Sequence, residues 1–372
     1  MKINAAISYA PREPLRIEEV ELSEDLRAHE ILVRNVAAGI CHSDLSLRDA
    51  PPEIRFMPKP AIFGHEGSGI VERVGSGVTA LEPGDHVVMS YVYDGTCHQC
   101  EQGLHAYCDN FFAYNLRGTR LDGSPAVTSP NHERITGSYH QQSSFATFSI
   151  ATDINAIKVP KELPLEYLGP IGCGFLTGAG AIRNRMKPRP GSSFVAFGIG
   201  AVGFGAIHMA RKMGCETIIA VDLHQSRLDL ARTFGATHLI NASEVPDTRA
   251  AIYAIQKGGV DYAFEATGNA AVMGTAIDSL RHGGTCLLAG VVFDSARKTE
   301  FTPAWFMTDK TVTGIMMGHA DMPGTIEELV EDVRSGTFPV EKLVTIYDFA
   351  DINRAIEDAE SGVAIKAIVR MP

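Results

Sequence analysis

Residues 193–214 read SFVAFGIGAVGFGAIHMARKMG, and this stretch decides the fold. The apolar run from Phe194 to Phe197 predicts a buried strand, the glycines a tight turn, and AIHMARKMG a helix that stops at Gly214. Gly198, Gly200 and Gly203 stand at the G-x-G-x-x-G spacing between that strand and that helix. The first glycine permits the turn, the second admits a pyrophosphate close to the backbone, and the third packs helix on strand. Unpaired N–H groups at the helix start then face the phosphates. Asp222 ends the next strand, TIIAVD, 19 residues beyond Gly203. A carboxylate there accepts from a ribose 2′-hydroxyl and repels a 2′-phosphate, and Leu223 offers no compensating charge, so NAD is expected rather than NADP. A glycine turn alone is often purely structural, and a strand-end aspartate is often only solvated. The two together, at this spacing, predict a dinucleotide site. Phe194 to Ala210 is apolar enough to raise a membrane span, but its glycines fall at a strand-to-helix turn, which excludes one.

Working outward, SRLDLARTFG (226–235) predicts a helix capped by Ser226 and closed by Gly235. VDYAFEATG (260–268), AAVMGTAIDSLRHGG (270–284) and TCLLAGVV (285–292) continue the alternation. Strands alternating with helices predict an α/β, doubly wound parallel sheet. Upstream, short alternating segments such as ILVRNVAAGI (31–40) and GIVERVGSGV (69–78), broken by Gly and Pro, predict a β-rich region. Arg48 to Pro60 carries Pro51, Pro52, Pro58 and Pro60 and predicts a loop. The tail from about Asp321 leaves the alternating rhythm and is expected to rejoin the first region. A chain of 372 residues exceeds one compact core. The expected division is residues 1–174 plus 319–372 for the β-rich domain and 175–318 for the dinucleotide domain.

Hydrophobic content of 45% and charged content of 21% are ordinary for a globular enzyme. A net charge of −11 argues against nucleic-acid or anionic-membrane partners. The opening MKINAAISYAPREPLRIEEVEL has no basic start followed by an apolar run, so a cytoplasmic location is expected. Seven cysteines in that setting predict metal ligands or free thiols rather than disulfides.

Three segments carry metal-binding residue types: GICHSD (39–44), GHEGSG (64–69) and GCG (172–174). Cys41, His65 and Cys173 would form a Cys₂His set for zinc, two thiolates balancing its charge and a fourth position left open to water or an alcohol. Taken singly, each is as readily a small buried hydrophobe or a satisfied core histidine, and no local spacing links the three. A wider pattern links them. The run GHEGSGIVERVGSGV (64–78) matches G-H-E-x₂-G-x₅-G-x₂-V, the signature of zinc-containing medium-chain alcohol dehydrogenases. CHSD, the cysteine run from Asp94 to Cys108, GCGFLTGAG, the glycine fingerprint and EATG follow in that family's order, so the resemblance covers essentially the whole chain.

The resemblance implies a GroES-like catalytic domain with an inserted Rossmann domain, and an enzyme moving hydride between an alcohol and NAD. It implies that Cys41, His65 and Cys173 hold catalytic zinc, with Glu66 beside it as an alternate ligand or a neighbour. Asp44 is then the carboxylate orienting the ligand imidazole, and Ser43 the hydroxyl that passes the substrate proton outward. His42 and Lys366 are expected to place cationic groups on the NAD pyrophosphate. Ser46 departs from relatives that finish the proton relay there with a histidine. The family's structural zinc takes C-x₂-C-x₂-C-x₇-C, where this chain has Asp94, Cys97, Cys100 and Cys108. The gap from Cys100 to Cys108 sets the register and makes Asp94 the replacement ligand; beginning at Cys97 would demand Gly103, which has no donor. An aspartate oxygen binds zinc with thiolate's formal charge, whereas an Asp94 that merely sits nearby would leave the site incomplete. His98 and His105 are weaker alternatives. Two zinc ions per chain are expected.

CHSDLSLRD, GTRLDGS and SSFATFSIATD are similar to the aryl-alcohol (benzyl-alcohol) dehydrogenase branch. Tyr91 and Phe145 fall where relatives line the substrate pocket, and aromatic walls suit a flat primary alcohol, although both fit an ordinary core equally well. Rival readings are a glutathione-dependent formaldehyde dehydrogenase and a non-catalytic zinc-stabilised binding protein of the same fold. The second would expect a broken Cys41, His65, Cys173 set. A homodimer or homotetramer is implied by resemblance alone. Cys215 and Cys286 are expected to pack as small apolar residues.

Overall fold

The computed structural model describes residues 1–51, 57–290, 303–319 and 321–372. Part of the proline-rich loop, including Pro52, and the end of the TCLLAGVV segment lie outside the described residues. The chain divides into two compact units, Met1–Cys173 with Ile326–Pro372, and Gly174–Thr325. The expected boundary at 174/175 falls one residue later than the observed one, and that at 318/319 seven residues earlier. The later return has a local reason. Asn184 Nδ2 donates to Gly318 O (2.9 Å) and Thr325 Oγ1 (3.3 Å), and Arg183 pairs with Asp321 (2.8 Å), holding the segment to the second unit.

In the first unit, a seven-stranded sheet carries Glu30–Gly39 at its centre. That strand pairs antiparallel with Glu66–Val74 and Phe148–Thr152 and, through Gly39, Ala38 and Ala37, with the C-terminal strand Lys366–Arg370. The C-terminal strand thus completes a sheet built from the first part of the chain. A five-stranded sheet contains Lys2–Ser8 and Arg16–Leu22. Ile7, Ile62, Phe63, Tyr139, Phe145 and Ala367 belong to the core of this unit.

The second unit holds a six-stranded, all-parallel sheet, with Ser193–Phe197 flanked by Thr217–Asp222 and Val260–Glu265. All five residues of Ser193–Phe197 are buried, as a central parallel strand covered on both faces requires. The helix Ala201–Lys212 follows it, so Phe194 to Ala210 is strand, turn and helix. Among the described residues no helix is long and apolar enough to cross a membrane. The helix expected to be capped by Ser226 runs from Gln225 to Phe234, with His224 at its cap. Asp222 Oδ1 accepts the His224 N–H (2.9 Å), which starts the helix earlier than the Ser226 reading predicts. Gly235 closes it with φ 120°.

Candidate active site and metal centres

The nucleotide-binding turn is built as the glycine spacing demands. Gly198 takes φ +84°, a conformation costly for other residues. A Cβ on Gly203 would stand 2.1 Å from Gly198 O, whereas one on Gly200, at the helix N-terminus, would meet nothing within 4 Å. That open approach suits a pyrophosphate drawn to the helix start. Asp222 is 8% exposed; its Oδ2 accepts the Ile199 N–H (2.6 Å), which ties the carboxylate to the glycine turn. These two bonds use two of the carboxylate's four lone-pair sites, so a sugar hydroxyl still finds an acceptor.

Cys41, His65 and Cys173 come together with their ligand atoms all within 4.8 Å of one another. Cys41 precedes the short helix His42–Arg48; His65 precedes the strand Glu66–Val74; Cys173 follows the turn Gly169–Gly172. Asp44 joins two of these segments. Its Oδ2 accepts the Cys41 N–H (3.0 Å), and its Oδ1 accepts the Gly64 N–H (3.2 Å) and the His65 Nδ1–H (2.8 Å). With Nδ1 turned to Asp44, Nε2 is the nitrogen left to give its lone pair to a metal in exchange for a proton, and it faces Cys173 Sγ at 3.1 Å. A hydrogen bond from Cys173, aided by the Lys366 charge and opposed by burial, draws Cys41 well below the ordinary thiol range. The same bond, with burial, pushes Cys173 up. One thiolate therefore stands ready, and a zinc ion would displace the second proton. Burial works against a charged His65, yet the Asp44 carboxylate holds its pKa well above the ordinary imidazole value. Two soft thiols and an imidazole whose far nitrogen is already fixed make a donor set that fits zinc. Ser43 Oγ lies 3.7 Å from Cys41 Sγ, Ser46 is half-buried, and His42 is exposed at the start of its helix.

Lys366 lies close enough to act on Cys41. Its ammonium is buried and donates to Glu66 Oε2 (2.9 Å), Glu66 Oε1 (3.0 Å) and Ile40 O (3.0 Å). All three N–H groups thereby have partners inside the first unit, which makes Lys366 a counter-charge for Glu66. Burial opposes that charge, but Glu66 and Cys41 outweigh it and hold the lysine pKa up. By the same pairing Glu66 is a neighbour of the three-residue cluster rather than a member of it.

Tyr91 and Phe145 are both buried in the first unit. Phe145 is 1% exposed within the core, its N–H bonded to Phe63 O and its carbonyl to the Ala6 N–H. Tyr91 is wholly buried against Phe111, with ring centroids 5.6 Å apart. The rings nearest His65 are ones the sequence reading passed over. His140 stacks on it at 4.7 Å and 30°, and Tyr139 meets it edge-on at 5.3 Å. They lie in SYHQQSS (138–144), a run in which every side chain carries a polar atom. No periodicity marks it as interior.

Asp94, Cys97, Cys100 and Cys108 form the second cluster, again within 4.8 Å. Asp94 Oδ1 accepts the Thr96 (2.8 Å) and Cys97 (2.9 Å) N–H groups, and Oδ2 accepts Asn110 Nδ2–H (2.8 Å). These bonds, the Cys97 N–H first, hold the carboxyl far below its usual range, so it stays an anion. A lone pair of Oδ2 remains for a cation. Cys97 and Cys108 sulfurs are 4.0 Å apart, and this donor set also fits zinc. His98 approaches Gln102 Nε2 at 2.9 Å and His105 stacks on Tyr93 at 3.9 Å; neither joins the cluster. All seven cysteines are free thiols, with Cys215 and Cys286 buried.

Comparison with known proteins places the chain among its relatives. The alcohol dehydrogenase GroES-like domain model matches residues 27–161, and the zinc-binding dehydrogenase model matches 201–332. Geraniol dehydrogenase of Castellaniella defragrans is 37% identical over 96% of this chain and 94% of its own length. S-(hydroxymethyl)glutathione dehydrogenase of Escherichia coli is 32% identical over the whole of both chains. Among solved structures, benzyl alcohol dehydrogenase from Acinetobacter calcoaceticus superposes with a TM-score of 0.93 at 39% identity, covering all of both chains. An alcohol dehydrogenase zinc-binding domain protein from Burkholderia ambifaria gives 0.95 at 44%, covering 100% of this chain and 99% of that one. A GroES-like domain, a Rossmann-type domain and full-length relatives at these identities are decisive: the chain belongs to the zinc-containing medium-chain alcohol dehydrogenase family, enzymes that use zinc and NAD.

Proposed function

We propose that this enzyme oxidises a primary alcohol whose carbinol carbon is benzylic or allylic, giving the aldehyde, with NAD as hydride acceptor. The observation that carries the chemistry is the convergence of Cys41, His65 and Cys173, with Asp44 fixing the imidazole. When bound, zinc supplies a Lewis acid for the alcohol oxygen and NAD an acceptor for the hydride. Cys41 and Cys173 supply negative charge to match the metal, and Asp44 keeps the His65 lone pair turned toward it. Ser43, beside Cys41, takes the hydroxyl proton outward, and with Ser46 in place of a histidine the relay ends on solvent. In the second unit Gly198, Gly200 and Gly203 admit the pyrophosphate and Asp222 accepts from the adenosine ribose. Asp94, Cys97, Cys100 and Cys108 hold a second, structural zinc.

The substrate class is supported by relatives that act on benzyl alcohol and geraniol, both with the hydroxymethyl carbon next to an unsaturated one. The test is NAD reduction across benzylic, allylic, short primary and secondary alcohols. Benzyl or cinnamyl alcohol should exceed ethanol in kcat/KM, because a ring buries more apolar surface. A preference for ethanol would remove the substrate class and leave the zinc and NAD reading intact. One arm adds formaldehyde with glutathione, the substrate type of the Escherichia coli relative; selective reduction of NAD there would favour that activity instead.

A further inference from the structure

Every residue of Ser138–Ser144 is buried, although each side chain in SYHQQSS carries a polar atom. Three of them, His140, Gln141 and Ser143, hold left-handed backbone, with φ of 50°, 50° and 45°. Such conformations persist only where the surroundings over-determine them, and they gather at functional sites. What they achieve here is a continuous grip on the segment bearing His65. Ser143 Oγ–H donates to Ile62 O (2.7 Å), the Phe145 N–H to Phe63 O (3.1 Å) and the Ser144 N–H to Gly64 O (2.9 Å). Gln142 Nε2 donates to His65 O (3.1 Å) and Ser90 O (2.9 Å), while its Oε1 accepts the Gly67 N–H (3.0 Å). One amide thus brackets the backbone on both sides of Glu66.

The ring of His65 is held from the same segment. His140 covers its face and Tyr139 its edge. Asn155 Nδ2 fixes the His140 carbonyl (3.0 Å), and Phe111 meets the His140 ring edge-on at 6.1 Å. His140 is 5% exposed, and its Nδ1 has no hydrogen-bond partner. An apolar residue would fill this space without that cost, which separates the position from ordinary packing. Asp44 sets which nitrogen of His65 carries the proton, but a single hydrogen bond leaves the ring free to tilt about it.

We propose that Ser138–Ser144 is a clamp that holds His65 in its metal-binding pose, with His140 and Gln142 as positioning residues acting on its ring and its backbone. The inference rests on the reading of Cys41, His65 and Cys173 as a metal centre. The test is made on protein loaded with cobalt(II), whose visible bands report the geometry of its thiolate and imidazole ligands. Metal release to a chelator is followed alongside, with the Asp94 cluster as internal reference. His140→Ala should shift the bands of this centre and weaken its hold on the metal about 10–100-fold, the range for residues that orient ligands. His140→Phe keeps a flat ring against His65 and should restore release close to the wild-type rate. Gln142→Leu should behave like His140→Ala; if it does not fold, the His140 pair decides. Unchanged bands and release in His140→Ala, or His140→Phe failing as His140→Ala does, would overturn the clamp. If wild-type bands survive Cys173→Ala, the metal centre itself is wrong and the clamp falls with it, a distinguishable outcome.

Discussion

Replacing Asp94 separates two tasks that one carboxylate combines in the cysteine lobe. Its Oδ1 braces the turn through the Thr96 and Cys97 N–H groups and its Oδ2 meets Asn110, while the carboxylate lies within 4.8 Å of the three thiols. Asp94→Asn keeps an oxygen for the two backbone N–H groups and removes the anion. Asp94→Cys does the reverse: it offers a sulfur and abandons the brace. Structural zinc sites bind with an apparent free energy of about 10–16 kcal/mol, so one ligand of four accounts for about 3 kcal/mol, or about 10²-fold in affinity. Asp94→Asn should therefore release the lobe zinc to a chelator about 10²-fold more readily, with the turn intact. The brace is partly solvent-exposed, and each of its hydrogen bonds is worth about 1 kcal/mol once water competes for the donors. Asp94→Cys should thus keep two zinc ions per chain and resist chelation better, at a cost of about 2–3 kcal/mol in fold stability.

The assay is zinc counted per chain after graded chelator exposure, together with the rate at which Cys97, Cys100 and Cys108 react with a thiol reagent. Asp94→Ala, lacking both tasks, should lose one zinc and unfold earlier. Equal zinc release from wild type and Asp94→Asn would show that the carboxylate is only a brace. One zinc per wild-type chain, with the three lobe thiols freely reactive, would show that the lobe holds no metal.

The remaining predictions concern the active site. Cys173→Ala should abolish turnover while NADH binding, seen by fluorescence, remains; a normal kcat in this variant would dismiss the catalytic zinc assignment. Wild-type enzyme should prefer NAD over NADP strongly, and Asp222→Gly should narrow the ratio mainly by raising KM for NAD; equal kcat/KM for both cofactors in the wild type contradicts the Asp222 reading. Lys366→Met leaves the Glu66 carboxylate buried without its partner and should cost about 3–5 kcal/mol in denaturant unfolding. Adding Glu66→Gln should recover part of that loss, whereas wild-type stability with a raised KM for NAD would return Lys366 to the pyrophosphate.

The parts legible from sequence are those in which one residue type admits no substitute. A glycine at 198 is needed for φ +84°, and one at 203 for helix packing on strand, so their spacing announces the turn before any coordinates. Thiols and an imidazole announce a metal, and family order joined three segments that spacing alone could not. Lys366 and Phe145 show what a position in the chain leaves open. Position along the chain shows which neighbourhood a residue enters but not which partner takes it, and Glu66 had no mark in the sequence as the acceptor for Lys366. The N-terminus of Gln225–Phe234 moved because Asp222 accepts the His224 N–H, a bond that cap statistics at Ser226 do not see. The least legible element was Ser138–Ser144, since hydrophobic periodicity treats polar runs as surface.

That last failure has a physical cause, and it bears on how the site is built. An apolar core fixes volume but leaves a ring free to choose among neighbouring tilts, whereas a metal ligand needs one tilt. Hydrogen bonds are directional, so a buried polar network selects a single arrangement when every member finds a partner. Around His65 the requirement is met from two sides. Asp44 draws the Cys41 and Gly64 N–H groups and the imidazole onto one carboxylate, so two segments 21 residues apart in sequence share a reference point. Gln142 and Ser143 then hold the backbone from Ile62 to Gly67, and Glu66, inside that span, is neutralised by Lys366 from the far end of the chain. Polarity at these positions therefore follows from the precision a ligand imidazole demands, and a hydrophobic pattern cannot record it. The polar residues that hold His65 in place are for that reason ones that an inside-outside pattern assigns to the surface.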